Sequence, residues 1–210
     1  MFKFMRTIVT TFAGFIFIFA AFSKNVEVKP SGVYKTIDVK LQNKTIKLLQ
    51  TTKGKSLEKS ISNITNSPEK YAPPVFYFLS SILFNENKKD DAMFWFYAGQ
   101  LRGRIDANIC ADKSAAGAIG ALNDKFGTPI NQYAFKDIPK LTNIVERVLA
   151  WEEKTPCNYD RRWINLEGMN AFNSDTNSPL SIPKEQWEDI RKKTRDDYRS
   201  SFYEALKMIK

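Results

Sequence analysis

Seven consecutive residues, Ala92-Met93-Phe94-Trp95-Phe96-Tyr97-Ala98, constrain the fold of this chain more than any other feature. They follow a polar turn at residues 85–89 and the acids Asp90 and Asp91. Acids suit the cap and first turn of a helix, where unpaired N–H groups and the macrodipole favour negative charge. The helix predicted over 91–106 is then apolar nearly all round. Such a helix has no face to give to water, so other elements must enclose it.

The enclosing elements are also readable. Residues 73–86 carry Val75, Phe76, Phe78, Leu79, Ile82, Leu83 and Phe84 behind Pro73-Pro74, a suitable helix opening. Leu57, Ile61 and Ile64 form a weaker face that ends at Asn66-Ser67-Pro68. Residues 115–126 are rich in Ala and Gly, which permits close approach of a neighbouring backbone. After the start signals Asp137 and Pro139, residues Leu141, Ile144, Val145, Val148, Leu149 and Glu152 keep helical spacing. A last helix starts near residues 181–183 and runs to about residue 208, with the stripe Trp187, Ile190, Tyr198, Phe202, Leu206 and Ile209. Glu188 with Lys192 and Asp189 with Lys193 stand in the favourable i, i+4 order. Residues 158–179 read as an irregular excursion with one short helical turn at 161–166.

Residues 26–50 read differently. Ile37, Val39 and Leu41 alternate with Asp38 and Lys40, and Ile46 and Leu48 follow the polar stretch Gln42-Asn43-Lys44. Alternation on both sides of a polar turn predicts a β-hairpin. The expected fold is therefore mainly α: one helical domain over 24–210 with a short N-terminal β-hairpin.

The first 23 residues read as a cleavable export signal. Lys3 and Arg6 precede an apolar run over residues 8–22, and Ala21-Phe22-Ser23 places small residues at a cleavage site after Ser23. The run is shorter than the ~20 residues that span a bilayer as a helix. The alternative is an uncleaved anchor. Cleavage would deliver 187 residues to the periplasm, with a net charge of +7 in place of the +9 of the whole chain. A basic exported protein suits an acidic protein partner, anionic lipid or a polyanionic wall polymer, and nucleic acid least. Oxidising conditions there favour pairing of the two cysteines, Cys110 and Cys157, across 46 intervening residues, the alternative being two separate buried thiols.

The chain contains no histidine. That excludes Ser-His-Asp and Cys-His catalysis and the usual histidine-bearing zinc sites. Three Ser-x-x-Lys spacings, at Ser56, Ser67 and Ser181, lack the partner motifs of a serine nucleophile. The acid pairs Asp90-Asp91, Glu152-Glu153 and Asp196-Asp197 lie on polar helix ends or faces. No phosphate loop or dinucleotide fingerprint is present. No cofactor, metal site or catalytic set is expected.

Two clusters are candidates for partner binding. Arg102, Arg104 and Asp106 follow directly on the most apolar helix, and Arg161-Arg162-Trp163 lies in the loop-rich stretch. Arginine and aromatic residues concentrate at binding hot spots, and loops carry many of them.

The helical pair over 71–106 resembles one unit of the tetratricopeptide and Sel1-like hairpins. The likeness lies in its aromatic first helix, polar turn, Asp91-Ala92 and the stretch from Trp95 to Ala98. No second copy follows at a fixed period, so the resemblance implies a single hairpin within a helical domain, not a solenoid. The format of signal, compact helical domain and missing catalytic set is similar to the exported immunity proteins of type VI secretion and contact-dependent toxin systems. That resemblance implies a periplasmic protein that neutralises a secreted antibacterial toxin by binding it. The rival expectations are a wall-acting enzyme that uses carboxylates alone, and an envelope scaffold.

Overall fold

The computed structural model describes residues 30–172 and 179–208, so the signal segment and residues 26–29 of the expected hairpin lie outside it. Seven α-helices run through the described residues: α1 (Lys40–Thr51), α2 (Gly54–Asn66), α3 (Pro73–Asn85), α4 (Lys89–Ile109), α5 (Gly117–Ala134), α6 (Ile138–Lys154) and α7 (Trp187–Met208). Short 3-10 turns at Gly32–Thr36, Lys113–Ala116 and Arg161–Glu167 join or flank them.

Helix α4 is the axis. Met93, Phe96, Leu101 and Ile105 are buried without exposed surface, and α3, α5, α6 and α7 all pack on it. Its enclosure follows from its apolar circumference. Burying a side chain of this size stabilises by ~1.5–3 kcal/mol, so no orientation that exposes one side of α4 competes. The aromatic rings interlock at edges: Tyr77 on Phe96 at 5.5 Å and Trp95 on Trp151 at 5.8 Å. At Gly127 in α5, an added Cβ would meet the tip of the Phe96 ring at 2.9 Å, which is why that position carries no side chain.

The expected hairpin is absent from the described residues. Residues 32–36 form a 3-10 turn and residues 40–51 form α1. The buried positions of α1 are Gln42, Thr45 and Leu49, an i, i+3, i+7 face with a single apolar member. Gln42 is inside because its amide both donates to Lys70 O at 3.2 Å and accepts from Ala72 N at 3.0 Å. Leu41 and Leu48, two residues of the apparent strand pattern, are exposed instead.

Two further expectations shift. Helix α5 does not stop at residue 126 but continues through Pro129 to Ala134. Proline within a helix removes one backbone bond, yet burial of Ile130 and Ala134 carries the helix on. On α7, Lys192 and Lys193 pair forward with Asp196 and Asp197 at 3.0 and 2.6 Å, while Glu188 lies 3.4 Å from Arg191. The cap at Asp137 is as read: its carboxylate accepts from Lys140 N at 3.0 Å.

The cysteines are free. Cys110 closes α4, and its thiol donates to Asn165 Oδ1 at 3.2 Å. Cys157 sits beside the arginines that grip the end of α6. The expected disulfide is thus replaced by two separate thiols, each held by its own neighbours. Burial pushes Cys110 up to about 11 and raises Cys157 as well. Without reductant, the denatured chain should therefore titrate two thiols with a thiol reagent, and the native chain should react slowly at pH 8. A denatured chain with no free thiol would restore the disulfide.

Candidate functional site

Most of the charged residues that the sequence nominated converge inside the protein. Arg102 and Asp106 are i, i+4 on α4 and are 1% and 0% exposed. Asp106 Oδ2 accepts from Tyr159 Oη and Trp163 Nε1, both at 2.8 Å, and Oδ1 accepts from Arg161 Nε at 2.8 Å. One carboxylate therefore gathers three residues of the stretch after α6. Burial lowers the Arg161 guanidinium pKa, but the fields of Asp106, Tyr159 and Cys157 and the hydrogen bond to Asp106 together outweigh this and hold it above its ordinary value. Burial and the same carboxylate raise the Tyr159 hydroxyl well above its usual range. Tyr159 was not nominated by sequence, because an isolated tyrosine in a polar loop carries no periodic signal.

Arg102 reaches the other way. Its Nη2 donates to Thr155 O at 2.7 Å and Pro156 O at 3.1 Å, and its guanidinium lies 4.2 Å from the Trp151 ring centre. A parallel device sits nearby: Glu152, wholly buried, accepts from Arg191 Nε at 2.6 Å and Arg195 Nη1 at 2.8 Å. Arg162 is half-buried, binds Asp160 through Nε and Nη2, and donates to Thr36 O at 3.0 Å. Arg102, Asp106, Arg161 and Trp163 are thus interior fastenings, and Arg162 ties down the N-terminal turn.

Asp160 gives this ring of contacts a pH signature. Burial pushes its carboxyl up, but hydrogen bonds from Arg162 and from the amides of Asp38 and Arg162 outweigh burial and hold it below the ordinary value. A depressed folded-state value contributes stability that is present above the unfolded pKa of ~3.9 and is lost as pH falls through the folded value. Asp160→Asn should therefore flatten the acid limb of the stability profile below about pH 4. An unchanged limb in thermal melts would contradict this role.

Arg104, the sixth nominated residue, is different. It is exposed, stands 5.0 Å over the Tyr198 ring and is in no ion pair among the described residues. It borders a groove of about 360 Å³ between α4, α5 and α7, whose walls include Asn108, Gly120, Asn123, Thr194 and Ser201. A second hollow of about 210 Å³ adjoins it, shares Arg104, Tyr198 and Ser201, and is walled by Phe135, Phe202 and Leu206. The groove therefore has a polar end and an apolar end with Arg104 between them.

The groove is braced from beneath. Tyr77 Oη and Gln100 Nε2 both donate to Asn123 Oδ1, at 2.8 and 3.1 Å. Tyr198 Oη donates to Gln100 Oε1 at 2.6 Å, Tyr97 Oη to Asn131 Oδ1 at 2.9 Å, and Asn108 Nδ2 to Thr194 Oγ1 at 2.9 Å. Burial raises the hydroxyls of Tyr77, Tyr97 and Tyr198, so all three remain protonated donors. Of the α5 contribution, Gly120 belongs to the small-residue run that suggested close packing but borders open space instead, Asn123 looks like ordinary helix surface, and only the fold sets them opposite α7.

Chemically the groove offers one guanidinium and uncharged amides and hydroxyls. Asp197 is the carboxylate on its wall, and it is engaged by Lys193. Of the acid pairs, Asp90, Asp91, Glu153 and Asp196 are exposed and Glu152 is locked between arginines. Among the described residues no group of three or more Cys, Asp or Glu side chains is placed to hold a metal ion, and no helix is long and apolar enough to cross a membrane.

In comparison with known proteins, no family model, curated protein or solved structure matches this chain.

Proposed function

We propose that this protein is an exported binding protein that acts without turnover, seating a protein partner in the groove between α4, α5 and α7. In its most concrete form it is a periplasmic immunity protein that occludes a secreted antibacterial toxin. The observation that carries the binding reading is the exposed Arg104, without an ion pair among the described residues and set between a polar and an apolar hollow, while Arg102, Arg161 and Arg191 are engaged internally. An arginine held over an aromatic ring in a mixed groove matches the composition of binding hot spots. The export signal and the resemblance in format to toxin-immunity proteins supply the periplasmic and inhibitory parts of the proposal.

The test is recovery of a partner from the producing cell's envelope on the tagged protein, followed by variants of the groove. Gly120 is suited to this, because an added Cβ there meets nothing within 4 Å. Gly120→Phe should fill the groove, leave thermal stability unchanged or slightly raised, and abolish binding. Arg104→Ala should weaken binding by roughly ten- to a hundredfold, the range of a typical hot spot. A partner that binds both variants as tightly as the original protein would remove the groove from the proposal. A partner whose capture does not protect against any envelope-acting toxin would remove the immunity reading alone.

A further inference from the structure

Independently of the groove, we propose that the outer face of α1 and α2 docks on an anionic phospholipid surface. Lys40, Lys44 and Lys47 stand at i, i+4 and i+7 on α1, opposite its buried face of Gln42, Thr45 and Leu49. On α2, Lys55 and Lys59 stand at i, i+4, opposite the buried Ser60 and Ile64. Leu49 and Ile64 enter the same core cluster, so both lysine faces look away from the body of the protein. All five lysines are exposed, and among the described residues none is in an ion pair. Glu58 is the one acid between residues 40 and 66, and its field acts on Lys88 of the next hairpin.

Charge alone would suit any polyanion. Two observations favour lipid. Leu41 and Leu48, 43% and 37% exposed, lie one heptad apart on α1 beside the lysines, so the face has apolar side chains to sink among acyl chains. A basic helix face edged by leucine is the pattern of an interfacial helix, with lysine stems reaching up to phosphates while the apolar residues go in. Finally, the apolar run of residues 8–22 ends 18 residues before Lys40, within ~60 Å even if the intervening chain is extended. A chain led to a membrane by that run would keep this face within reach of the bilayer.

The test is flotation of the full chain with vesicles of phosphatidylcholine alone and with roughly a third phosphatidylglycerol, across about 0.05 to 0.5 M salt. Using the full chain keeps any contribution of the apolar run equal in every arm, so the readout is the anionic increment. That increment should be about tenfold or more at low salt and vanish at high salt. The triple variant Lys40→Gln, Lys44→Gln, Lys47→Gln should lose it. A control triple that removes the same charge elsewhere, Lys136→Gln, Lys154→Gln, Lys184→Gln, should keep it. Leu41→Ser with Leu48→Ser should weaken binding on anionic vesicles while circular dichroism shows the fold intact. Equal binding to both vesicle types, or equal loss in the two lysine triples, overturns the proposal. Binding to soluble polyglutamate through the same lysines without vesicle binding would reassign the face to an acidic protein and overturn the lipid assignment. None of these outcomes bears on the groove, since Arg104 and Gly120 are unchanged throughout.

Discussion

Asp106→Ala is expected to destabilise the protein by ~3–5 kcal/mol, the range found when one member of a buried ion pair is removed. The carboxylate has no exposed surface and Arg161 keeps 7% of its side chain exposed, so neither can turn to water. The variant would strand the Arg161 guanidinium together with the Tyr159 hydroxyl and the Trp163 indole N–H. For a folded unit of this size the loss corresponds to a drop in melting temperature of roughly 10 °C. Asp106→Asn separates the contributions. Its one oxygen can replace Oδ2, which serves Tyr159 and Trp163, but its NH₂ then faces the Arg161 donor that Oδ1 accepted. The asparagine variant should therefore fall between wild type and alanine. Equal melting temperatures for all three proteins would show that Asp106 does not organise the segment after α6.

The same residue shows what the amino-acid order conveys and where it stops. The burial of α4 was legible because seven apolar residues in a row leave no polar side. The consequence for Arg102 and Asp106 was also available: polar residues on a helix enclosed all round are enclosed with it. Charge pattern pointed instead to a surface site, because arginine and aspartate at a helix end are usually solvated. The helix in fact continues to Ile109, which carries both residues into the interior. Of Arg102, Arg104 and Asp106, only Arg104 reaches the solvent, on a strip of α4 that also exposes Asn108.

Residues 40–51 failed for a different reason. Periodicity detects a buried face by its apolar members, and the buried face of α1 has one, Leu49. Gln42 is inside by virtue of two backbone partners some 30 positions away in sequence, at Lys70 and Ala72. No local pattern encodes such a pairing. The groove was illegible on the same grounds. Its walls come from three helices, and the contacts that set its shape join Tyr77 to Asn123, Gln100 to Asn123 and Tyr198 to Gln100. The cap at Asp137 is the opposite case: it binds an amide three residues on, so signal and structure lie in one short stretch, whereas Asp90, expected as a cap, falls inside the first turn of α4 behind Lys88.

Glu152→Ala is the second large effect expected, again ~3–5 kcal/mol in chemical denaturation. Glu152 is buried within α6, and its two oxygens are divided between Arg191 and Arg195 of α7, whose side chains are 10% and 13% exposed. Arg191 also donates to the carbonyls of Glu152 and Thr155. Loss of the carboxylate would leave two guanidiniums at the α6–α7 contact, Arg191 with the two carbonyls and Glu188, and Arg195 with the more distant Glu153. A buried ion pair is costly to break yet contributes little over an apolar pair of similar volume, because each charge surrenders its hydration on folding. The double variant Glu152→Met, Arg191→Met should therefore recover most of what Glu152→Ala loses. Recovery should be incomplete, since Arg195 remains and its next acceptor, Glu153, lies 4.0 Å away on an exposed side chain. A double variant as unstable as the single would mean that Arg191 works chiefly through the two carbonyls, not through the carboxylate. A single variant within about 1 kcal/mol of wild type would mean that both arginines can swing out to water. In that case the α6–α7 contact rests on Trp187, Ile190 and the rest of the apolar stripe.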